Sequence, residues 1–341
     1  MGRAGLNRKT ALATATLTLA AEAPDLDVIS RFWGSAFGLN HHRGFTHSFL
    51  GVPLVAAVVV AFMYGIWQLR GHKTRDPNLP PRWGLLFGYA CLAGLSHILL
   101  DFTNNYGVRP LWPFSERWIS WDIVFIVEPV LLVVLTLGLI VPSFFALINE
   151  EISAHNKTAK LPGRLAATLA LIVVVSYWGV RDYEHRRATA ALESRNYQGA
   201  DAIRVSAYPY WVNPFHWYAV VETPGFFATM DVDSLVPEVD PDGQVRIRYK
   251  PEETPITLAA KRTYLGRVYL SWAQYPITET EELPTDPGDH THAAYAVRFR
   301  DLRYDYPGRN TRATLGAMVL LTRDLKIVEE RFGSGKSTNA K

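Results

Sequence analysis

His42-Arg-Gly-Phe-Thr-His47 runs directly into the apolar stretch Ser48-Phe-Leu-Gly-Val-Pro-Leu-Val-Ala-Ala-Val-Val-Val-Ala-Phe-Met-Tyr-Gly-Ile-Trp-Gln-Leu69. A helix needs about 20 mostly apolar residues to cross the hydrocarbon core of a bilayer, and this stretch meets that length. It therefore predicts a membrane-spanning helix with imidazoles and a guanidinium at one end. Ionisable groups at membrane depth are costly, so their presence there indicates function.

Other apolar runs in the first half predict further spans. Three of them are long or strongly apolar, namely Trp83–Leu100, Ile123–Ile148 and Leu165–Val180. A fourth run, Thr10–Ala23, is weaker because it is rich in Ala and Thr. It could also be a signal peptide, since basic residues precede it. These runs predict a multi-pass α-helical membrane domain over residues 1–180.

The second half is polar and rich in Tyr and Pro. Asp182–Arg195 is predicted to continue the last helix as a polar extension. Short β-prone segments then alternate with turn residues, which predicts strands. They are Ala202–Tyr208, Trp217–Glu222, Phe226–Val232, Val245–Tyr249, Arg267–Trp272, Ala294–Phe299 and Ala317–Thr322. The predicted class is an α+β membrane protein, with a β-rich extracytoplasmic domain over 181–332 and a disordered tail over 333–341.

Segment 208–217 is strongly aromatic, and two interpretations stay open for it. Its rings could form part of the hydrophobic core of a sheet. They could also form an aromatic belt or a substrate wall at the membrane surface, because Trp and Tyr favour the headgroup level.

The distribution of Lys and Arg predicts the orientation in the membrane. The start of the chain and connections 70–82 and 149–164 carry ten basic residues, whereas connections 28–47 and 102–122 carry four. Cytoplasmic connections hold the excess of positive charge, so the first set is predicted to be cytoplasmic. Basic residues after the last span argue the other way, but long translocated domains follow the rule poorly.

Overall composition excludes several classes. The 341-residue chain has a net charge of +3, too small to indicate a nucleic-acid partner. Cys91 is its one cysteine, which excludes an internal disulfide framework and a Cys-rich zinc site. We therefore expect membrane lipid as the surroundings and no nucleic acid as a partner.

Three clusters of polar ligands fall at the predicted outer ends of the spans. They contain Asp25 with Asp27, His42 with His47, and His97 with Asp101, the last pair four residues apart on one helix face. Each cluster alone has a structural alternative: helix capping by the aspartates, interfacial anchoring by the histidines, or a His–Asp hydrogen bond. Thr46 or Ser48 could likewise cap the helix that follows.

All three clusters share one predicted membrane face, which favours a bound divalent metal over coincidence. Nitrogen and oxygen donors without thiolate suit Zn²⁺ best, with Mn²⁺ and Fe²⁺ as alternatives. The predicted metal ligands are therefore Asp25, Asp27, His42, His47, His97 and Asp101.

Several longer strings around these clusters resemble the YdjM family of bacterial inner-membrane metal-dependent hydrolases. They are Arg3-Ala-Gly-Leu6, Pro24-Asp-Leu-Asp27, His42-Arg-Gly-Phe-Thr-His-Ser48, Ser96-His-Ile-Leu-Leu-Asp-Phe-Thr-Asn-Asn-Tyr-Gly107, Trp112-Pro-Phe-Ser115 and Asp122-Ile-Val-Phe-Ile-Val-Glu-Pro129. The resemblance implies the same ligand set and a hydrolase activity. Family members usually carry a short Thr-His-containing stretch before the first of these strings.

Metal-assisted hydrolysis at the outer membrane surface is the function we predict. Asp25 or Asp27, or else Glu128, would act as general base, and Arg43 would hold an anionic group of the substrate. A lipid or lipid-linked phosphoester suits a site at the headgroup level. The alternative is a non-catalytic membrane protein whose cluster is structural and whose outer domain binds a partner. Transport is disfavoured because the carboxylates lie mostly at span ends.

Overall fold

The computed structural model describes residues 1–74, 76–152, 163–236, 238–240, 243, 245–284, 286, 288–307, 315–333 and 338–339. These residues form two compact units. The first unit comprises Met1–Leu26, Phe45–Glu184 and Pro209–Pro214, and the second comprises Asp27–Gly44, His185–Tyr208 and Phe215–Lys341. The boundaries predicted for the domains at residues 180 and 332 stay predictions.

The first unit is helical. It contains α1 (Ala13–Glu22), α3 (Gly51–Leu69), α4 (Trp83–Thr103), α5 (Pro129–Ile152) and the part of α6 (Gly163–Glu193) up to Glu184, together with 3₁₀ segments at Gly2–Ala4, Leu6–Arg8 and Phe45–His47. Small side chains on α1, α3 and α4, such as Ala20, Ala56 and Ala93, are buried between the helices. They allow the three helix backbones to approach closely, as is common in membrane bundles.

Three helices in the described part of the chain, α3, α4 and α6, are long and apolar enough to cross a bilayer. This confirms three of the predicted spans as helices of sufficient length and hydropathy. The apolar stretch of α5, Pro129–Phe144, is shorter. Helix α1 has 10 residues, fewer than the predicted apolar run from Thr10 to Ala23.

The span predicted from Ile123 begins later than its hydropathy suggested. Residues Ile123–Val127 are not helical, and α5 begins at Pro129. Proline fits the first turn of a helix, where no N–H partner is needed, and it disfavours helical angles in the residue before it. Glu128-Pro129 therefore sets the helix start. Ile123 is instead buried beside Val174 of α6.

The second unit is mixed. It contains α2 (Ser35–His41), the end of α6, α7 (Pro255–Arg262), α8 (Tyr264–Trp272) and ten strands. The first five strands are β1 (Arg204–Pro209), β2 (His216–Glu222), β3 (Phe226–Asp233), β4 (Glu238–Val239) and β5 (Arg246–Tyr249). They form one antiparallel sheet in the order β1-β2-β3-β4, with β5 also paired to β3. The other sheet has the order β10-β9-β8-β7-β6 and contains β6 (Pro276–Glu282), β7 (Tyr295–Asp301), β8 (Ala317–Leu321), β9 (Ile327–Phe332) and β10 (Thr338–Asn339). The chain is thus an α+β protein.

Six of the seven predicted strands are strands in the structure, with ends shifted by one or two residues. The prediction for Arg267–Trp272 is wrong, because those residues belong to α8. The Thr263 hydroxyl accepts a hydrogen bond from Gly266 N at 3.1 Å and caps the helix. Leu265, Val268, Tyr269 and Trp272 are buried at helical spacing. The helix cap and the helical spacing of the buried residues outweigh the β propensity of Val268 and Tyr269.

The predicted polar extension of the last span is confirmed, because α6 continues without a break to Glu193. The aromatic segment 208–217 is divided between burial and exposure. Tyr208 and Trp217 are fully buried, as the core interpretation expects, whereas Trp211 and Val212 are half exposed. In the tail, Thr338–Asn339 pair with β9, and the other residues after Gly333 lie outside the described residues.

Candidate metal centre

Three segments of the first unit bring four of the predicted ligands together. Asp25 lies in a 3₁₀ segment, Ala23–Trp33, that follows α1 directly. His47 ends the 3₁₀ segment that precedes α3. His97 and Asp101 lie one turn apart near the end of α4, on the same helix face. One oxygen or nitrogen atom from each of these four side chains lies within 4.8 Å of the others.

The donor atoms form a tight group. His47 Nε2 lies 3.2 Å from His97 Nε2. Asp101 Oδ2 lies 3.3 Å from the nitrogen of His47 and 3.4 Å from that of His97. Asp25 Oδ1 lies 3.5 Å from each of the same two nitrogens. Each carboxylate therefore faces both imidazoles.

Burial differs sharply within this group. The His47 side chain is fully buried, and those of His97 and Asp101 are 15% and 12% exposed. The Asp25 side chain is 52% exposed. Hydrogen bonds from His47 and then His97 hold the pKa of the Asp25 carboxyl well below its usual range, so it stays ionised near neutral pH. The group thus has a buried side and an accessible carboxylate.

A close-packed turn fixes the backbone around His47. The Ser48 hydroxyl donates to Phe45 O at 2.8 Å and accepts from Gly51 N at 2.9 Å. A Cβ on Gly51 would lie 1.8 Å from Phe45 O, far inside contact distance, so only glycine fits there. Of the two predicted caps, Ser48 makes the backbone hydrogen bond. Thr46 Oγ1 instead lies 3.0 Å from His47 Nδ1, a contact that the sequence analysis missed although the two residues are adjacent.

Asp27 and His42 pair with each other in the second unit. Asp27 Oδ1 lies 2.8 Å from His42 Nδ1, and Asp27 Oδ2 accepts from the backbone N–H of Arg43 at 2.7 Å. Arg43 has a φ of 52°, a left-handed backbone conformation. Neither Asp27 nor His42 belongs to the four-residue group. Their assignment as metal ligands, and that of Arg43 as an anion-binding residue, stay predictions.

Glu128, the other predicted base, is buried at the start of α5. Its carboxylate accepts from Tyr177 Oη at 3.3 Å and from Phe125 N at 3.4 Å. These contacts tie α5 to α6 and to the segment before α5. A catalytic role for Glu128 stays a prediction.

The four-residue group fits a divalent metal. Two imidazole nitrogens and two carboxylate oxygens are a donor set that zinc accepts. Bonds of about 2.0–2.1 Å in a regular tetrahedron place neighbouring ligands about 3.3–3.4 Å apart. Five of the six separations, from 3.2 Å to 3.5 Å, lie around that value, and the sixth, between Asp25 and Asp101, is within 4.8 Å. Small movements of these side chains would therefore suffice to bind an ion.

Three described helices of spanning length and a metal-competent group at the ends of α1, α3 and α4 define a class: membrane proteins with a candidate metal centre. A family profile described as "YdjM inner membrane protein" matches residues 1–188, more than half of the chain. The chain belongs to this family of inner membrane proteins, as the motifs predicted. It is also similar to the uncharacterized protein YfhP of Bacillus subtilis (strain 168), with 24% identity over 289 residues, covering 84% of this chain and 76% of YfhP. No solved structure matches the chain.

Proposed function

We propose that this chain is a metal-dependent hydrolase of the inner membrane. The observation that carries the proposal is the convergence of Asp25, His47, His97 and Asp101 from three separate segments onto one point. Helices that serve only as anchors need no such group. Two imidazoles and two carboxylates with mutual distances suited to zinc favour Zn²⁺ as the resident ion.

The unequal exposure of the four side chains suggests a catalytic site rather than a closed structural one. Structural zinc sites use four protein ligands, whereas catalytic sites use three and leave a position open. His47, His97 and Asp101 are the three less exposed donors and would hold the ion. Asp25 is the accessible carboxylate, next to the position where water and substrate would enter.

The bound metal would supply a water of lowered pKa and a Lewis acid that polarises the scissile group. Asp25, a half-exposed carboxylate, would hydrogen-bond the attacking water and receive its proton. His47 is fully buried, which keeps bulk water from the inner side of the site. The chain would thus position water between an accessible carboxylate and a buried ligand set.

A lipid or lipid-linked phosphoester is the substrate class we propose. Phe45 and Phe49, which flank His47 in the sequence, are 39% and 57% exposed. Leu50 is 46% exposed and continues into the apolar helix α3. Apolar side chains on both sides of a metal ligand favour a substrate that arrives from the membrane with an acyl or isoprenoid chain.

Purified protein in lipid nanodiscs tests the activity. After chelation and reloading with Zn²⁺, we expect hydrolysis of one of three lipid-like reporters: a phosphodiester, a phosphomonoester or an acyl ester. Asp101→Asn and Asp25→Asn should abolish turnover, the first by loss of metal and the second with metal largely retained. Full metal content without turnover on any of the three would favour the alternative, in which the cluster is structural and the outer domain binds a partner.

We also propose that the metal centre and the C-terminal domain face outward, as the charge distribution predicts. A topology reporter fused after Lys341 tests this orientation. Alkaline phosphatase should be active there and a cytoplasmic fluorescent reporter inactive. The opposite pattern would place the domain in the cytoplasm.

A further inference from the structure

The imidazole of His47 has a contact on each of its two nitrogens. Nε2 faces His97, Asp25 and Asp101, while Nδ1 lies 3.0 Å from the hydroxyl oxygen of Thr46. A neutral imidazole carries one N–H, and a nitrogen that binds a metal must present its lone pair. The proton must then sit on the other nitrogen, where it needs an acceptor. His47 is fully buried, so bulk water cannot fill that role.

Two arrangements of protons fit this geometry. In one, Nδ1–H donates to Thr46 Oγ1, and Nε2 offers its lone pair to a metal. In the other, Thr46 donates to Nδ1, and Nε2–H donates to the carboxylate of Asp25 or Asp101. The first arrangement belongs to a metal-binding site, and the second to a purely structural network. The position of one proton on His47 therefore distinguishes the two.

The local backbone holds Thr46 in place for this contact. The turn closed by Ser48 and Gly51 leaves little freedom to the residues between Phe45 and Gly51. Thr46 is β-branched, so its χ1 angle is restricted and its hydroxyl oxygen has few directions to take. A serine would offer the same oxygen with more freedom, and a valine would offer the same shape with no oxygen.

We propose that Thr46 is a positioning residue that accepts the Nδ1–H of His47 and thereby fixes the tautomer that binds the metal through Nε2. The inference rests on the proposed metal site. Partners of this kind behind a ligating histidine typically contribute 10- to 100-fold, as an order of magnitude, to metal affinity. Thr46 contributes without touching the ion or the substrate.

Zinc affinity, measured by chelator competition, tests the proposal in the full-length protein. Thr46→Val should weaken binding by roughly 10- to 100-fold, and Thr46→Ser should restore most of it. Thr103→Val is the matched control. Thr103 is buried, and its hydroxyl donates to Leu100 O at 2.7 Å, so its removal should leave zinc affinity unchanged. The Co²⁺-substituted proteins should show the same order in the intensity of their tetrahedral absorption bands.

Equal zinc affinity in wild type and Thr46→Val would overturn the role of Thr46 and leave the metal site standing. No zinc binding by wild type would overturn both proposals. If Thr46→Val does not fold, ¹⁵N NMR of the zinc-loaded wild type decides. The Nδ1–H tautomer of His47 supports the proposal, and an Nε2–H tautomer contradicts it.

Discussion

The Asp25 and Asp27 neighbourhoods use the same residue types, a few positions apart in sequence, with different outcomes. Asp25 faces two imidazoles from distant segments, His47 and His97. Asp27 faces His42 and the backbone N–H of Arg43, so both of its oxygens are engaged by residues close to each other in the chain. Residue type and spacing define candidate ligands. In the structure, Asp25 belongs to the four-residue group, and Asp27 makes a local pair with His42.

The largest expected effect separates His47 from His42. His47→Asn removes the fully buried nitrogen at the centre of the group, so zinc affinity should fall by at least about 100-fold, beyond what outer partners contribute. His42→Asn keeps an amide N–H that can still donate to Asp27, so affinity should change little. Elemental analysis after gel filtration measures both. Equal metal loss in the two variants would mean that His42 is also a ligand.

Gly51 and Gly88 give the next contrast, between a glycine that shapes the site and one that does not. Gly51→Ala places a Cβ against Phe45 O. Overpacking typically lowers the free energy of unfolding by about 1–3 kcal/mol, and we expect a larger loss here. The variant should also lose zinc. Gly88 in α4 has open space around it, so Gly88→Ala should be neutral or stabilising by up to about 1 kcal/mol. Thermal unfolding in detergent and metal content report the two effects. A stable, zinc-loaded Gly51→Ala protein would contradict the rigid turn.

Asp27→Ala should mainly lower stability, whereas Asp25→Ala should mainly weaken zinc binding. Asp27→Ala removes two hydrogen bonds to a buried carboxylate and should cost about 2–3 kcal/mol of stability with zinc affinity retained. Asp25→Ala should weaken zinc binding several-fold and change stability less, because its side chain is half exposed. Unfolding curves and chelator competition on both variants measure the difference. Loss of zinc from the Asp27→Ala protein would mean that Asp27 is also a metal ligand.

The smallest effect concerns pH. The folded-state pKa of Asp25 is lowered, so its charge is present above the ordinary carboxyl range and is lost only at lower pH. Release of zinc on acidification should follow protonation of the imidazole ligands, since metal ligands must be deprotonated. Asp25→Asn should leave the number of protons taken up on zinc release unchanged. A smaller number in this variant would mean that Asp25 titrates in the same pH range.

Much of the candidate site follows from the sequence, because motif spacing and span ends suffice to bring Asp25, His47, His97 and Asp101 towards one face. The pairing of Asp27 with His42 and with the backbone N–H of Arg43 does not follow. Arg43 has a positive φ, which hydropathy and spacing do not encode. Thr46 was missed for a similar reason, since a threonine before a helix is ordinarily a cap and here Ser48 makes that bond.

The apolar pattern of the sequence also predicted only part of the fold. Hydropathy predicted α3, α4 and α6, and alternation predicted six strands. Helix α8 was predicted as a strand because Val268 and Tyr269 favour strands, while the cap at Thr263 lies outside that short window. The start of α5 moved to Pro129 because backbone restriction outweighs the apolar character of Ile123–Val127. Local chemistry beyond the apolar pattern therefore fixed both elements.

X-ray absorption at the zinc edge of the purified wild type tests the central claim most directly. The account predicts one ion per chain with imidazole scattering from two histidines and oxygen donors at about 2.0–2.1 Å, and no sulfur neighbour. His47→Asn should lose the signal, and His42→Asn should keep it unchanged. A protein without zinc, or a spectrum that lacks two imidazoles, would contradict the claim that His47, His97 and Asp101 hold a metal ion beside Asp25.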